Sequence, residues 1–195
     1  MNKSRDQLSV VPKQIYQLKI KLPGSIPSIW RRVLVPATIT MSKLHRVLQI
    51  AMGWRDCHLH HFLIDGVYYS APIPDTDWED MGETDYRRLR LSQLVPVSRL
   101  TFRYEYDFGD GWVHEILVEK ILDEEPGKHY PVCLDGKRAC PPEDVGGLGG
   151  YGHFLNVMRN PNHREHESLS CWIGGSFDPA KFDLVDVNTL LSAMR

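Results

Sequence analysis

The chain has 195 residues, enough to bury a substantial core, and its 42% hydrophobic and 25% charged residues are ordinary globular values that exclude intrinsic disorder. Twenty-three basic and 25 acidic side chains give a net charge of −2, so no global positive field draws in a phosphate backbone and nucleic acid is disfavoured as a partner. No run has the length of a membrane span or the apolar core of a secretion signal, and the scattered Cys57, Cys133, Cys140 and Cys171 read as reduced thiols, so the expected compartment is the cytoplasm.

Residues 1–13 read as a flexible leader and residues 14–195 as a single domain. Tyr16, Leu18, Ile20 and Leu22 alternate with Gln17, Lys19 and Lys21, the signature of a half-buried strand. Pro23-Gly24 and Pro27 then interrupt the chain, and a second extended segment over 29–35 stops at Pro36, which predicts a hairpin or meander. From Thr40 the period changes. Met41, Leu44, Val47, Leu48 and Ala51 keep helical spacing, with Thr40 as N-cap and Gly53 past the C-terminus.

Residues 59–64 and 67–70 form the arms of a hairpin about Asp65-Gly66. The acidic, proline-containing stretch 71–90 reads as a long surface loop or mobile flap. Beyond it, Leu100, Phe102, Tyr104, Tyr106 and Phe108 line one face of a strand that turns at Gly109-Asp110-Gly111 and returns over 112–122. A three-residue loop with Gly111 left-handed sets Tyr106 against His114, Tyr104 against Ile116 and Phe102 against Val118, and turns Asp107 to the other face. A small hairpin is expected over 130–140 about Asp135-Gly136, then a rigid corner from Pro141 and Pro142, then helices over 151–158, 163–172 and 184–194. The fold expected is α+β: a curved antiparallel, partly barrel-like sheet of about six strands, one helix after the second strand and a C-terminal helical cluster.

Candidate chemistry lies in three places. His58 and His60 are spaced to share a strand face and offer an edge pair of imidazoles to a metal; the alternative is that each holds a turn or a neighbouring carboxylate. Asp107, Asp110 and His114 add ligand-type groups, although Asp110-Gly111 is also what a tight turn demands. Glu143 and Asp144 follow two prolines that fix the backbone, and such an acidic corner either binds a cation or basic partner or caps the next helix. A Cys140 thiol with His114 as base is a further arrangement, whereas the lack of any Cys-x-x-Cys pair argues against a four-cysteine zinc site. The clusters Arg31-Arg32 and Arg87-Arg88-Leu89-Arg90 read as solvated faces, and Trp30, Trp54, Trp112, Tyr104 and Tyr106 mostly as core.

Several motifs recur together: Trp30-Arg31-Arg32-Val33, Ala51-Met52-Gly53-Trp54 with His58-Leu59-His60-His61-Phe62, Tyr106-Asp107-Phe108-Gly109-Asp110-Gly111-Trp112-Val113-His114, Cys140-Pro141-Pro142-Glu143-Asp144-Val145-Gly146-Gly147, and Gly174-Gly175-Ser176-Phe177-Asp178. In these the chain resembles the plasmid pRiA4b ORF-3-like family, from about Ile15 to Leu191, some members of which are labelled TnpR-like passengers of insertion sequences. The resemblance implies association with mobile elements. It does not bring resolvase chemistry, because the N-terminal nucleophile, arginine-rich site and basic DNA-binding helix pair of a serine resolvase have no counterpart here. The function expected is a non-catalytic binding or interaction module for a protein or small-molecule ligand, seated between the His58-His60 strand and the Asp107 to His114 hairpin. The rival is a zinc- or manganese-dependent hydrolase or nuclease that uses His58, His60, Asp110, His114 and Glu143 or Asp144.

Overall fold

The computed structural model describes residues 13–72 and 82–194. The expected leader, apart from Lys13, and the middle of the expected flap, 73–81, lie outside the described residues. Among the described residues the chain forms eight strands and five helices, a mixed α+β arrangement. The strands are β1 (Gln14–Leu22), β2 (Ile29–Pro36), β3 (His60–Ile64), β4 (Val67–Ser70), β5 (Thr84–Asp85), β6 (Thr101–Tyr106), β7 (Trp112–Asp123) and β8 (Val132–Lys137). They lie in one sheet of order β5-β4-β3-β6-β7-β1-β2-β8, and the sheet is open rather than barrel-like. The count exceeds six because both edge strands arise where no sheet strand was expected. β5 falls within the stretch read as loop and pairs with β4 in parallel, and β8 falls within the stretch read as a self-paired hairpin.

One face of the sheet is apolar because alternation works as expected: Tyr16, Leu18, Ile20 and Leu22 are buried, as are Phe102, Tyr104 and Tyr106 of β6 and Trp112, Ile116 and Val118 of β7. Helix α1 (Met41–Met52) packs on that face, with Met41, Leu44, Leu48 and Met52 buried. Thr40 accepts a hydrogen bond from the Lys43 amide, and Gly53, with φ 99°, closes the helix in the left-handed region that favours glycine. The shorter α2 is Leu91–Leu94, and the C-terminal cluster comprises α3 (Gly147–Met158), α4 (His166–Ile173) and α5 (Leu184–Ser192). α4 starts later than expected, since residues 160–165 make successive turns instead of a helix.

Arg31 overturns its reading as part of a solvated face. It is 1% exposed; its Nε donates to the carbonyl of Ala51, Nη1 to those of Trp30 and Lys137, and Nη2 to that of Arg138, while the guanidinium stacks 4.1 Å from the Phe182 ring. The side chain therefore ties the end of α1 to β2 and β8. Gly136 serves this clamp and not a turn: a Cβ there would lie 2.6 Å from Phe182 and 2.8 Å from Arg31 Cδ. Arg32 is engaged with Glu119 at 2.7 Å, and Arg87 with Asp85 at 2.8 Å. These arginines do not form a free cationic patch.

The β6–β7 register also differs. Tyr106 faces Trp112, Tyr104 faces His114 and Phe102 faces Ile116, a shift of two residues that preserves the alternation and so keeps Phe102, Tyr104, Tyr106, Trp112, Ile116 and Val118 on the core face, whereas Phe108, expected there, lies in the loop and is exposed. The loop is correspondingly longer, over 107–111, closed by the Gly111 amide donating to the Asp107 carbonyl at 2.7 Å. The Asp107 amide donates to the Leu59 carbonyl at 2.9 Å, so the turn is set by contact with the approach to β3 as well as by its own sequence.

Candidate metal centre

Three loops meet at one end of the sheet. The first, residues 53–59, leaves α1 at Gly53; Trp54 folds inward and its indole N–H donates to the Pro141 carbonyl at 3.0 Å. The second is the 107–111 loop. The third is the corner after Pro141 and Pro142, which Glu143 fastens to the first loop by accepting from the Arg55 amide at 2.8 Å. Asp110 fastens the same corner to the second loop, its Oδ2 accepting from the Gly146 amide at 3.0 Å. Gly147 lets the two backbones touch, since a Cβ there would meet the Asp110 carbonyl oxygen at 2.5 Å.

This arrangement surrounds His58 with acids. Its Nε2 lies 3.2 Å from Asp144 Oδ1, 3.7 Å from Asp107 Oδ2 and 3.8 Å from Glu143 Oε2. Nε2 is closed to solvent, yet none of these approaches has the geometry of a hydrogen bond. Two of the carboxylates, those of Asp107 and Glu143, are held from behind. Asp107 Oδ1 accepts from the Gly109 and Asp110 amides at 3.0 and 3.3 Å, which leaves Oδ2 facing the imidazole. Glu143 Oε1 takes the Arg55 amide and the Tyr106 hydroxyl, the latter at 3.1 Å. Asp107 and Asp144 both have φ 57°, a left-handed backbone that aspartate tolerates better than most residues. Among the described residues no lysine or arginine pairs with these three carboxylates, so negative charge accumulates around one imidazole.

His60 does not join this group. β3 begins at His60, so strand alternation does not reach back to His58 and the two rings part. The His60 ring stacks on His45 of α1 with centroids 3.5 Å apart and planes 4° from parallel, and its Nε2 lies 2.6 Å from the Tyr86 hydroxyl. His45 Nε2 lies 2.7 Å from Asp56 Oδ1 and Nδ1 lies 2.8 Å from the Tyr104 hydroxyl, which also accepts from Gln49 Nε2. A carboxylate only accepts, so Nε2 carries the proton and Nδ1 accepts from Tyr104. Although His45, Asp56 and His60 bring donor atoms close enough together for a metal, parallel stacked rings send their in-plane lone pairs past a common point. Burial lowers the pKa of His45 and takes that of His60 down to about 3, so both rings are neutral. Tyr86, 3% exposed, anchors the described end of the expected flap to this core.

His114 is also a core residue. It is fully buried, its Nδ1 lies 3.2 Å from the Tyr104 carbonyl oxygen, and it meets Trp54 edge-on at 5.1 Å. Burial lowers its pKa to about 4. Burial pushes the Cys140 thiol up, which opposes a thiolate nucleophile there. His61 faces away from the core, as alternation requires, but is covered, lying 3.3 Å from both Glu83 and Glu105.

The structure thus brings together His58, Asp107, Glu143 and Asp144, makes Asp110 a latch between two of the loops, and leaves His60 and His114 in the core. Sequence reading missed His45, Asp56, Cys57 and Tyr106 as neighbours of these groups. One signal was present for His45: with Gln49 it makes a polar pair at helical spacing on the buried side of α1. Beside the cluster, a cleft of about 350 Å³ is lined by Glu143 and Asp144 together with Trp54, Trp172 and Phe177.

Fold and site define an α+β protein with an open mixed sheet and an imidazole ringed by carboxylates at its loop end. Residues 14–186 match the family model described as plasmid pRiA4b ORF-3-like protein, and the chain belongs to that family. A relative, the uncharacterized protein y4hQ of Sinorhizobium fredii, is 40% identical over 176 residues, 89% of each chain. The crystal structure of a protein of unknown function from Methanosarcina mazei Go1 is similar with a TM-score of 0.79 and 36% identity, covering 89% of this chain and 97% of that one. No helix among the described residues is long and apolar enough to cross a membrane.

Proposed function

We propose that the chain is a non-catalytic binding module whose working part is a divalent-cation site, for zinc or manganese, formed by His58, Asp107, Glu143 and Asp144. The observation that carries this reading is the His58 Nε2 atom, shut off from solvent and unbonded, with three carboxylate oxygens 3.2 to 3.8 Å away. Direct N–H···O⁻ bonds run to about 2.7–2.9 Å, whereas two ligands on one tetrahedral metal stand about 3.4 Å apart. The spacing around His58 matches the second value better. A cation would also neutralise the accumulated charge, and the amides behind Asp107 and Glu143 supply the outer support that orients metal ligands. Association with mobile elements rests on the family resemblance alone.

The cleft beside Glu143 and Asp144 favours one rival, a metal-dependent hydrolase or nuclease, because a substrate could reach the ion there. Against it, two of the side chains fit to serve as general base are already engaged: Glu143 accepts from Arg55 and Tyr106, and His114 is sealed in the core. Equilibrium dialysis of the purified protein against zinc and manganese tests the proposal. One ion per chain is expected for the native protein and none for His58→Ala. Equal retention by both proteins, or by neither, would refute the site.

A further inference from the structure

Cys57 immediately precedes His58, is exposed, and was not among the groups expected at the site. Its Sγ, a ring nitrogen of His58 and a carboxylate oxygen of Glu143 all lie within 4.8 Å of one another. The Tyr106 hydroxyl sets this spacing. It accepts from the Cys57 amide at 3.1 Å, stands 3.6 Å from Sγ and donates to Glu143 Oε1 at 3.1 Å, so thiol and carboxylate are placed on either side of one fixed oxygen. Asp107 and Asp144 approach the same imidazole in a second set of three ligand atoms within 4.8 Å, and His58 is common to both sets.

We infer that the Cys57 thiolate is a ligand of the ion, with His58 and Glu143 as the other donors from the chain, and that this donor set selects zinc over manganese. The inference rests on the cation-site reading and makes it narrower. Sulfur, nitrogen and oxygen donors in a four-coordinate arrangement suit zinc, whereas manganese favours oxygen donors, and a thiolate adds nothing to its retention. Exposure is compatible with the role, because a loop thiol on the rim can swing onto an ion that the inner ligands already hold.

Cobalt(II) reports directly on such a ligand, since a thiolate bound to it gives an intense charge-transfer band in the near ultraviolet that oxygen and nitrogen ligands do not give. The full-length protein loaded with cobalt should show this band. In Cys57→Ser the band should vanish while the weaker visible bands of bound cobalt persist, and zinc affinity should fall about tenfold or more with manganese affinity unchanged. Cobalt binding without the band, or a band that survives Cys57→Ser, would overturn the role of Cys57 and leave the His58 site standing. Failure to bind cobalt, zinc and manganese alike would overturn the site and the inference together. Tyr106→Phe serves as a second variant, because it frees the thiol without removing it: the band should remain at reduced cobalt occupancy, and an unchanged occupancy would contradict the positioning assigned to the hydroxyl.

Discussion

Two clusters of imidazole and carboxylate lie close together in this molecule, one against Tyr104 and the other against Tyr106 of β6, and they differ in one respect that decides their chemistry. Around His45 and His60, Tyr86, Tyr104 and Asp56 meet ring nitrogens at hydrogen-bond distance, and Gln49 donates to the Tyr104 hydroxyl. Around His58, the imidazole nitrogen that faces three acids has no hydrogen bond. The residue types are nearly the same, so composition cannot separate them. What separates them is whether polar capacity is spent: a satisfied network specifies a core, and an unsatisfied one that gathers negative charge has room for a cation.

If that contrast is right, the largest effect on stability belongs to the closed cluster. His45→Ala removes a buried ring, its two hydrogen bonds and its stack on His60, and should cost about 2–4 kcal/mol in denaturant unfolding while cation binding persists in the folded protein. A cost below about 0.5 kcal/mol, the scale of surface substitutions, would mean that the closed network is not structural.

Acid should expose the same cluster. His60 and His114 have pKa values taken down to about 3 and about 4 from 6.5, so between these values and 6.5 the unfolded chain binds protons that the folded one refuses. Their contribution is therefore complete above pH 6.5 and is lost as the pH falls toward 4, at up to about 1.4 kcal/mol per pH unit for the fully buried His114 ring and less for the part-buried His60 ring. His60→Phe should make unfolding free energy less steep between pH 6 and pH 4. An unaltered slope would place the titrating group elsewhere.

The smallest effect should come from the latch. Asp110→Ala frees the Gly146 amide and lets the acidic corner move relative to the hairpin, at a cost of about 1 kcal/mol in stability and roughly tenfold in cation affinity. Loss of stability without any change in affinity would show that the corner is placed by other contacts, with Arg55 and Trp54 as the first to examine.

These contrasts also explain what was legible beforehand. β1, α1 and the Asp65-Gly66 hairpin announce themselves because alternation, caps and turn glycines act locally, and Asp65 and Gly66 have φ 49° and 78° as such a turn requires. The β6–β7 face was legible too, but not its register, because the Asp107 amide is bound by Leu59 across the sheet and the loop lengthens to suit. β8 looked like a hairpin because Asp135-Gly136 is good turn chemistry; only the clamp of Arg31 against Phe182 explains why a glycine is needed in a strand there. In the site, the acidic corner was readable from Pro141-Pro142-Glu143-Asp144. The pairing of His58 with His60 was not, since it depended on where β3 begins. His45 and Asp56 reach the closed cluster around His60 only through the packing of α1 on the sheet.

The central claim is that His58, and neither His45 nor His60, has a nitrogen free to hold a cation. Imidazole nitrogen NMR of the labelled protein during zinc addition tests it most directly. The ring nitrogens of His58 should move to the pattern of a metal-bound imidazole at one equivalent of zinc, with those of His45, His60 and His114 unchanged. Zinc-dependent shifts confined to His45 and His60, or to no ring at all, would contradict the account.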